Sequence, residues 1–461
     1  MDGSPGLPLP LLLIGVALWM GLACIVVPRL RGLPLVLFLA LSARYLVTFF
    51  HDYTTRSIFA GQSLNSFLTL FLTAVFVFIS RRDLLRYRVF LPVFAFIFAL
   101  LVSGIWNAEV TGTVNALIRQ FLFLGVMVTV VTAIDGEPND GSVSRAMLLA
   151  FVVPVAYQVM SILLRLGKAS ESDGSISYIG GYVHEGVFSV LLLTAMAIVA
   201  LAAGLNWRRR TFLLAAIFTA LIFANYRTAV IASLPILAMH LVFGSASSVR
   251  AGMANYVRAG AILATVVIGL FLTTLLSQRM ADLGVILSSP GGLIKPPTEF
   301  GAEDRGLLSG RILIWSDYIF TTVRSDMSHL FFGFGPDAWQ RSFSLYAHNV
   351  YVSYIYEIGF FGTAVYLYTL LHFFWLALRA RRDKRWQLIG AHASYGLLCL
   401  GTMPTFTIEG VLLYAVICGY TAYYYLVERV PRRFVMPANS AGPNSGRSRS
   451  GRVPQASIHH H

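Results

Sequence analysis

Three side chains, far apart in the chain, are of types that could bind an anion and move a proton. Arg227 stands between two apolar runs, Arg311 opens a short amphipathic segment, and His348 precedes the next apolar run. Arginine offers a planar, permanently charged fork that pairs with phosphate oxygens, so it can hold and neutralise a phosphorylated group. Histidine is well matched to taking a hydroxyl proton near neutral pH. Each also has a plainer reading: an arginine between apolar runs can snorkel to lipid headgroups, and an interfacial histidine can hydrogen-bond to backbone.

Further ionisable groups fall at helix ends or within apolar runs: Arg44, Arg119, His184, Glu185, Glu357 and Glu409. Such groups are costly at membrane depth and are therefore candidates for function, with mutual structural pairing as the alternative. Arg119 and His184 join Arg227 and Arg311 as candidate substrate contacts. Trp315, Tyr346 and Tyr351 suit stacking on a sugar, with Trp339 and Tyr354 near them; the competing reading is an aromatic belt at the membrane interface. A metal-dependent transferase would use paired carboxylates to hold a hard cation. The segments read as external contain no Asp-x-Asp, and Glu303 and Asp304 read as a solvated loop, so no metal or cofactor is expected.

The elements that must position these groups are membrane helices. The 461 residues are 57% hydrophobic and 12% charged, against roughly 25% charged in a soluble domain. Apolar runs of about 16 to 22 residues recur, each able to cross a hydrocarbon core of about 30 Å as a helix. They lie near 8–27, 33–50, 63–79, 88–105, 115–134, 146–166, 185–205, 211–225, 228–243, 258–277, 360–379, 388–403 and 409–427. The expectation is an all-α polytopic protein with about 12 or 13 spans. Strands of a barrel would show short alternating segments instead. Cys24, Cys399 and Cys418 lie in apolar runs without metal-like spacing and read as small apolar residues. The first run lacks the flanks of a cleavable signal and reads as a retained helix.

The net charge of +14 comes from short clusters between the runs, the pattern of an orientation signal, so no nucleic-acid partner is expected. The clusters are Arg29 and Arg31; Arg81, Arg82, Arg86 and Arg88; Arg208–Arg210; Arg250 and Arg258; and Arg379, Arg381, Arg382, Lys384 and Arg385. Counting crossings puts all of them on one side, with the N-terminus and the long interval 278–359 on the other. Four regions follow: helices over 1–277, the loop 278–359 carrying the candidate motif, helices over 360–430, and a basic tail over 431–461 whose Pro, Ser, Gly and Arg content suits disorder. His459–His461 reads as a tag remnant. Within the loop, Ile312, Trp315 and Ile319 share a face at helical spacing, with Ser309 as a cap, and Phe332–Pro336 reads as a tight turn.

The order Gly310-Arg311 to Trp315, Gly333-x-Gly335, His348-Asn349-x-Tyr351 and Tyr356-Glu357 to Gly362 resembles the signature of the O-antigen ligase and polymerase superfamily. The specific motif covers about a tenth of the chain, and the many helices with one large loop near the C-terminal end also agree. The resemblance matches Arg227, Arg311 and His348 to family residues. Tyr226 stands where the family has Ser, and Ser328-His329-Leu330 where a Pro commonly precedes the glycine turn. What the resemblance implies is an inverting, metal-independent glycosyltransferase of a Gram-negative inner membrane, working on the periplasmic face. Its donor would be O-antigen on undecaprenyl pyrophosphate, its acceptor lipid A-core oligosaccharide, with membrane lipids around it, and His348 its general base. A polymerase, a protein O-oligosaccharyltransferase and a transporter of lipid-linked glycans remain as alternatives, and the oligomeric state is left open.

Overall fold

The computed structural model describes residues 6–59, 62–136, 141–170, 175–245, 251–275, 294–301, 304–308 and 310–429. The expected tail, the start of the long loop, Arg250 and the Ser309 cap lie outside the described residues. The chain folds as α1 (Leu9–Val26), α2 (Gly32–Phe49), the single turn α3 (His51–Thr54), α4 (Leu64–Ile79), α5 (Leu91–Trp106), α6 (Val110–Gly136), α7 (Ser142–Leu149), α8 (Val152–Leu163) and α9 (Glu185–Leu201). It continues as α10 (Trp207–Ala224), α11 (Arg227–Met239), α12 (Ala254–Leu275), α13 (Arg311–Val323), α14 (Met327–Phe332), α15 (Trp339–Ser342), α16 (Val350–Leu378), α17 (Arg385–Gly401) and α18 (Ile408–Arg429). Two small antiparallel pairs, β1 (Ser57–Phe59) with β2 (Gln62–Ser63) and β3 (Lys168–Ser170) with β4 (Ser175–Ser177), decorate one end.

Each apolar run read from the sequence is helical among the described residues, the run 146–166 being divided between α7 and α8, because a backbone in lipid must satisfy its own hydrogen bonds. Among the described residues eight helical segments are long and apolar enough to cross a membrane, and three shorter apolar helices accompany them. The chain is an all-α polytopic membrane protein. At the centre runs α18, buried from Glu409 to Tyr424 on nearly every face and packed against α6 and α9. At the edge, α1 has only Leu12, Gly15 and Val26 buried.

The bundle has two chemically distinct ends. At one, Lys384 Nζ donates to the Leu201 and Ala202 carbonyls at 3.1 and 3.0 Å, Arg210 donates to Val199 and Ala202, and Arg81 pairs with Asp135. At the other, the loop residues 294–349 meet the helix ends: Asn107 Nδ2 donates to the Gly333 carbonyl and Arg341 pairs with Glu109. Leu7 is buried against Gly181, so the first helix also starts at this loop end.

The helix α16 is broken at Gly359, with φ 65° and ψ −173°. A break frees carbonyls that lipid cannot satisfy, and the Gly-x-Gly turn supplies the donors. Phe334 N–H donates to Tyr356 O at 2.9 Å and Gly335 N–H to Glu357 O at 2.8 Å. Both glycines at this junction are required, since a Cβ on Gly333 would come within 2.3 Å of Glu357 backbone and one on Gly359 within 2.4 Å of Phe331 O.

Candidate functional site

The loop end of the bundle brings Arg311, Thr228, Tyr346, His348 and His184 into one neighbourhood. Arg311 is the first residue of α13, after Gly310 at φ 77°, and Arg227 is the first residue of α11. The two starts meet: Arg311 Nη1 donates to Thr228 Oγ1 at 3.5 Å. A helix start carries a partial positive charge, so a cation there is opposed by about 0.3–1 kcal/mol while an anion is stabilised. Two such starts, each headed by an arginine, form a concentrated anion-attracting locus.

His348 is delivered by the returning segment 343–349, which α13 grips through its backbone. Trp315 Nε1 donates to Ala347 O at 2.7 Å, Tyr318 Oη donates to Leu345 O at 3.1 Å, and Tyr318 stacks on Phe343 at 3.8 Å. His348 itself takes a left-handed backbone, φ 50°, an uncommon conformation outside glycine that persists where its surroundings hold it. Asn349 then caps α16 through the Tyr351 and Val352 amides.

The His348 ring lies 4.0 Å from that of Tyr346, and its buried Nδ1 has no hydrogen-bond partner. Burial, reinforced by the charges of Arg311 and His184, pushes the imidazole down to about 4. It is therefore neutral, the form able to accept a proton, throughout the physiological range. Burial pushes the Tyr346 phenol up to about 12, with Tyr226 and Glu185 adding to the rise and the Arg311 charge opposing it. His184 caps α9 by accepting the Gly186 N–H at Nδ1, which leaves its Nε2 as the protonated nitrogen of the neutral ring. Burial lowers its proton affinity, and the Glu185 carboxylate opposes that shift. Glu185 in turn pairs with Lys168 at 2.9 Å.

The other sequence candidates are placed elsewhere. Arg119 is ion-paired with Asp337 at 2.9 Å and lies over the Phe406 ring, lining a separate cavity with Arg44 and Glu409. Tyr351 donates its hydroxyl to Gly396 O at 3.4 Å, facing α17 and not the His348 cluster. Trp315 spends its N–H on the Ala347 carbonyl, which makes it a positioning residue for His348. The buried face of α13 is also shifted from the expected Ile312, Trp315, Ile319 stripe: Ile312, Ser316, Tyr318 and Thr322 are the buried residues, because the helix packs against α16 as well as against the returning segment.

Sequence reasoning missed Thr228, which bridges the two helix starts, and Asp337, which receives Arg119. It also missed the fixing of Glu357, whose carboxylate accepts from Asp337 N–H at 2.8 Å and Ser353 Oγ at 2.5 Å. A polar residue directly after Arg227 was the available signal for Thr228; the Asp337 pairing has none, since it spans 218 residues. Among the described residues no group of three or more His, Cys, Asp or Glu could hold a metal ion. No protein-family model matches this chain, and no curated protein matches it.

Proposed function

We propose that the chain is an inverting glycosyltransferase that moves a glycan from a polyprenyl pyrophosphate carrier to an acceptor on the periplasmic face of a Gram-negative inner membrane. The form proposed is the ligase reaction, from undecaprenyl-pyrophosphate-linked O-antigen to lipid A-core; a polymerase or a protein O-oligosaccharyltransferase would share the same motif. One observation carries the reading: two arginine-headed helix starts meet beside a buried, neutral histidine.

The chemistry follows from those groups. The donor's polyprenyl chain stays in the bilayer while its pyrophosphate binds between Arg227 and Arg311. The acceptor hydroxyl attacks the anomeric carbon as the bond from that carbon to the phosphate oxygen breaks, and the bonding pair leaves with the pyrophosphate. His348 takes the hydroxyl proton, and a single displacement inverts the anomeric centre. Fixed guanidinium charges and helix starts stabilise the pyrophosphate most when its charge is greatest, in the transition state.

The test is a reconstitution of the purified protein with lipid-linked glycan and lipid A-core. Product on the lipid acceptor that disappears in Arg311→Ala and His348→Ala, with folding preserved, supports the ligase. Transfer only to glycan ends, or only to protein hydroxyls, moves the chain to the polymerase or protein-transferase alternative. Movement of intact donor across the membrane without transfer overturns the enzyme reading.

A further inference from the structure

While His184 faces His348, its neighbours Val183 and Val187 line a second cavity of about 570 Å³ at the loop end, a volume within the range of ligand sites. None of the groups assigned to glycosyl transfer above lines it. Its inner wall holds Arg44 and Glu409, paired at 3.3 Å with side chains only 6% and 2% exposed, and Arg119, whose partner is Asp337. Tyr182 Oη donates to the same Glu409 carboxylate at 2.8 Å, and Asn65 accepts from Arg44. Arg44 Nε and His51 Nδ1, both buried, have no hydrogen-bond partner, while His51 Nε2 lies 3.5 Å from the Asp52 carboxylate. Donors this deep are expensive to leave unmade.

The rest of the lining changes character toward the lipid. Ser66, Thr69, Asn115 and Thr407 contribute hydroxyls and an amide. Beyond them Phe67, Leu70 and Val114 form an apolar lip, 40%, 50% and 49% exposed. Further along, α4 and α6 close together where Gly125 meets Phe76; the cavity lies between their loop-end halves. It is thus a cleft with an apolar mouth and an arginine-bearing inner wall.

We infer that this cleft is a second substrate subsite, taking the phosphorylated, sugar-bearing headgroup of a lipid whose chain remains in the bilayer. Guanidinium donors match phosphate oxygens, the hydroxyl and amide groups match a polyol, and the apolar lip matches a chain entering from the side. The inference deepens the proposed function and rests on it for the substrate class: a transferase joining two lipid-borne partners needs two headgroup sites, and the Arg227–Arg311–His348 cluster provides one. In this cleft each arginine is already partly neutralised by a carboxylate, which suits holding a headgroup that must dissociate as product.

The test is equilibrium binding to the full-length protein in lipid nanodiscs, read by native mass spectrometry, with three probes: a phosphorylated glucosamine-based glycolipid, a polyprenyl phosphate and phosphatidylglycerol. The expected result is that the phosphorylated glucosamine-based glycolipid binds in this cleft, the polyprenyl carrier being assigned to the Arg227–Arg311 cluster. Its binding should weaken at least tenfold in Asn115→Trp, which fills the mouth from an exposed position, and in the charge-neutral pair Arg44→Gln with Glu409→Gln, while Arg311→Ala retains it. Equal binding of phosphatidylglycerol, no binding of the glycolipid, or undiminished glycolipid binding in a folded Asn115→Trp protein would each overturn the inference. Retained, Asn115-sensitive binding by a protein that transfers no glycan would leave the cleft standing and remove the enzyme reading instead.

Discussion

Two groups of arginines occupy the same end of this molecule and are held in opposite ways. Arg44 and Arg119 each meet a buried carboxylate, Glu409 and Asp337, so their charge is compensated within the protein. Arg311 and Arg227 stand at the first positions of α13 and α11, and at Arg311 the helix field adds to the side-chain charge instead of cancelling it. Among the described residues Arg311 has no carboxylate in ion-pairing reach, and its hydrogen bond goes to the neutral Thr228 hydroxyl. The difference separates a charge neutralised within the fold from one maintained at the fold's expense, and under the proposed function it is the second that stabilises the anion growing during transfer.

That contrast predicts a double dissociation. His348→Ala should lower the rate of glycan transfer by about 10²–10⁴-fold, the span of a lost general base, with the melting temperature little changed; steady-state transfer and thermal unfolding measured side by side check it. Arg311→Ala should lower transfer by about 10²–10³-fold, as for loss of one preorganised electrostatic contact, and leave stability unchanged or slightly raised because an opposed cation is removed from a helix start. A large loss of stability in Arg311→Ala would erase the contrast.

The paired region should behave in reverse. Glu409→Gln leaves the buried Arg44 charge without its carboxylate and should cost about 3–5 kcal/mol of stability, seen as a lowered melting temperature in detergent. Loss of activity without loss of stability there would place Glu409 in the chemistry. The smallest effect is expected at Trp315→Phe, which removes the hydrogen bond to Ala347 O, worth about 1 kcal/mol. Transfer should fall several-fold through misplacement of His348, and an unchanged rate would deny Trp315 its positioning role.

How much of this was legible in the sequence differs between the two regions. The helices were, because a lipid-crossing helix must be apolar along its whole length, and so was the separation of the loop from the basic clusters, which gather at the opposite end. The order of the motif pointed to Arg311 and His348, and the fold brings these two into one neighbourhood. The pairing of Arg119 with Asp337, the turn of Tyr351 toward Gly396 and the role of Trp315 were not: each depends on which distant backbone lies opposite, and helix spacing carries no record of that. Nor did local pattern reveal that the Gly333–Gly335 turn exists to satisfy the carbonyls freed at Gly359, although both glycine positions were visible.

The pH dependence of kcat/KM for glycan transfer tests the link between His348 and Arg311 most directly. Because burial and the neighbouring positive charge hold His348 down at about 4, the neutral base persists as pH falls, and the acid limb of the wild-type profile should lie near pH 4, well below the ordinary histidine range of about 6.5. In Arg311→Gln the guanidinium no longer opposes protonation, so the limb should move upward in pH at reduced amplitude. A limb that stays in place in Arg311→Gln, or that persists unchanged in His348→Ala, would contradict the account.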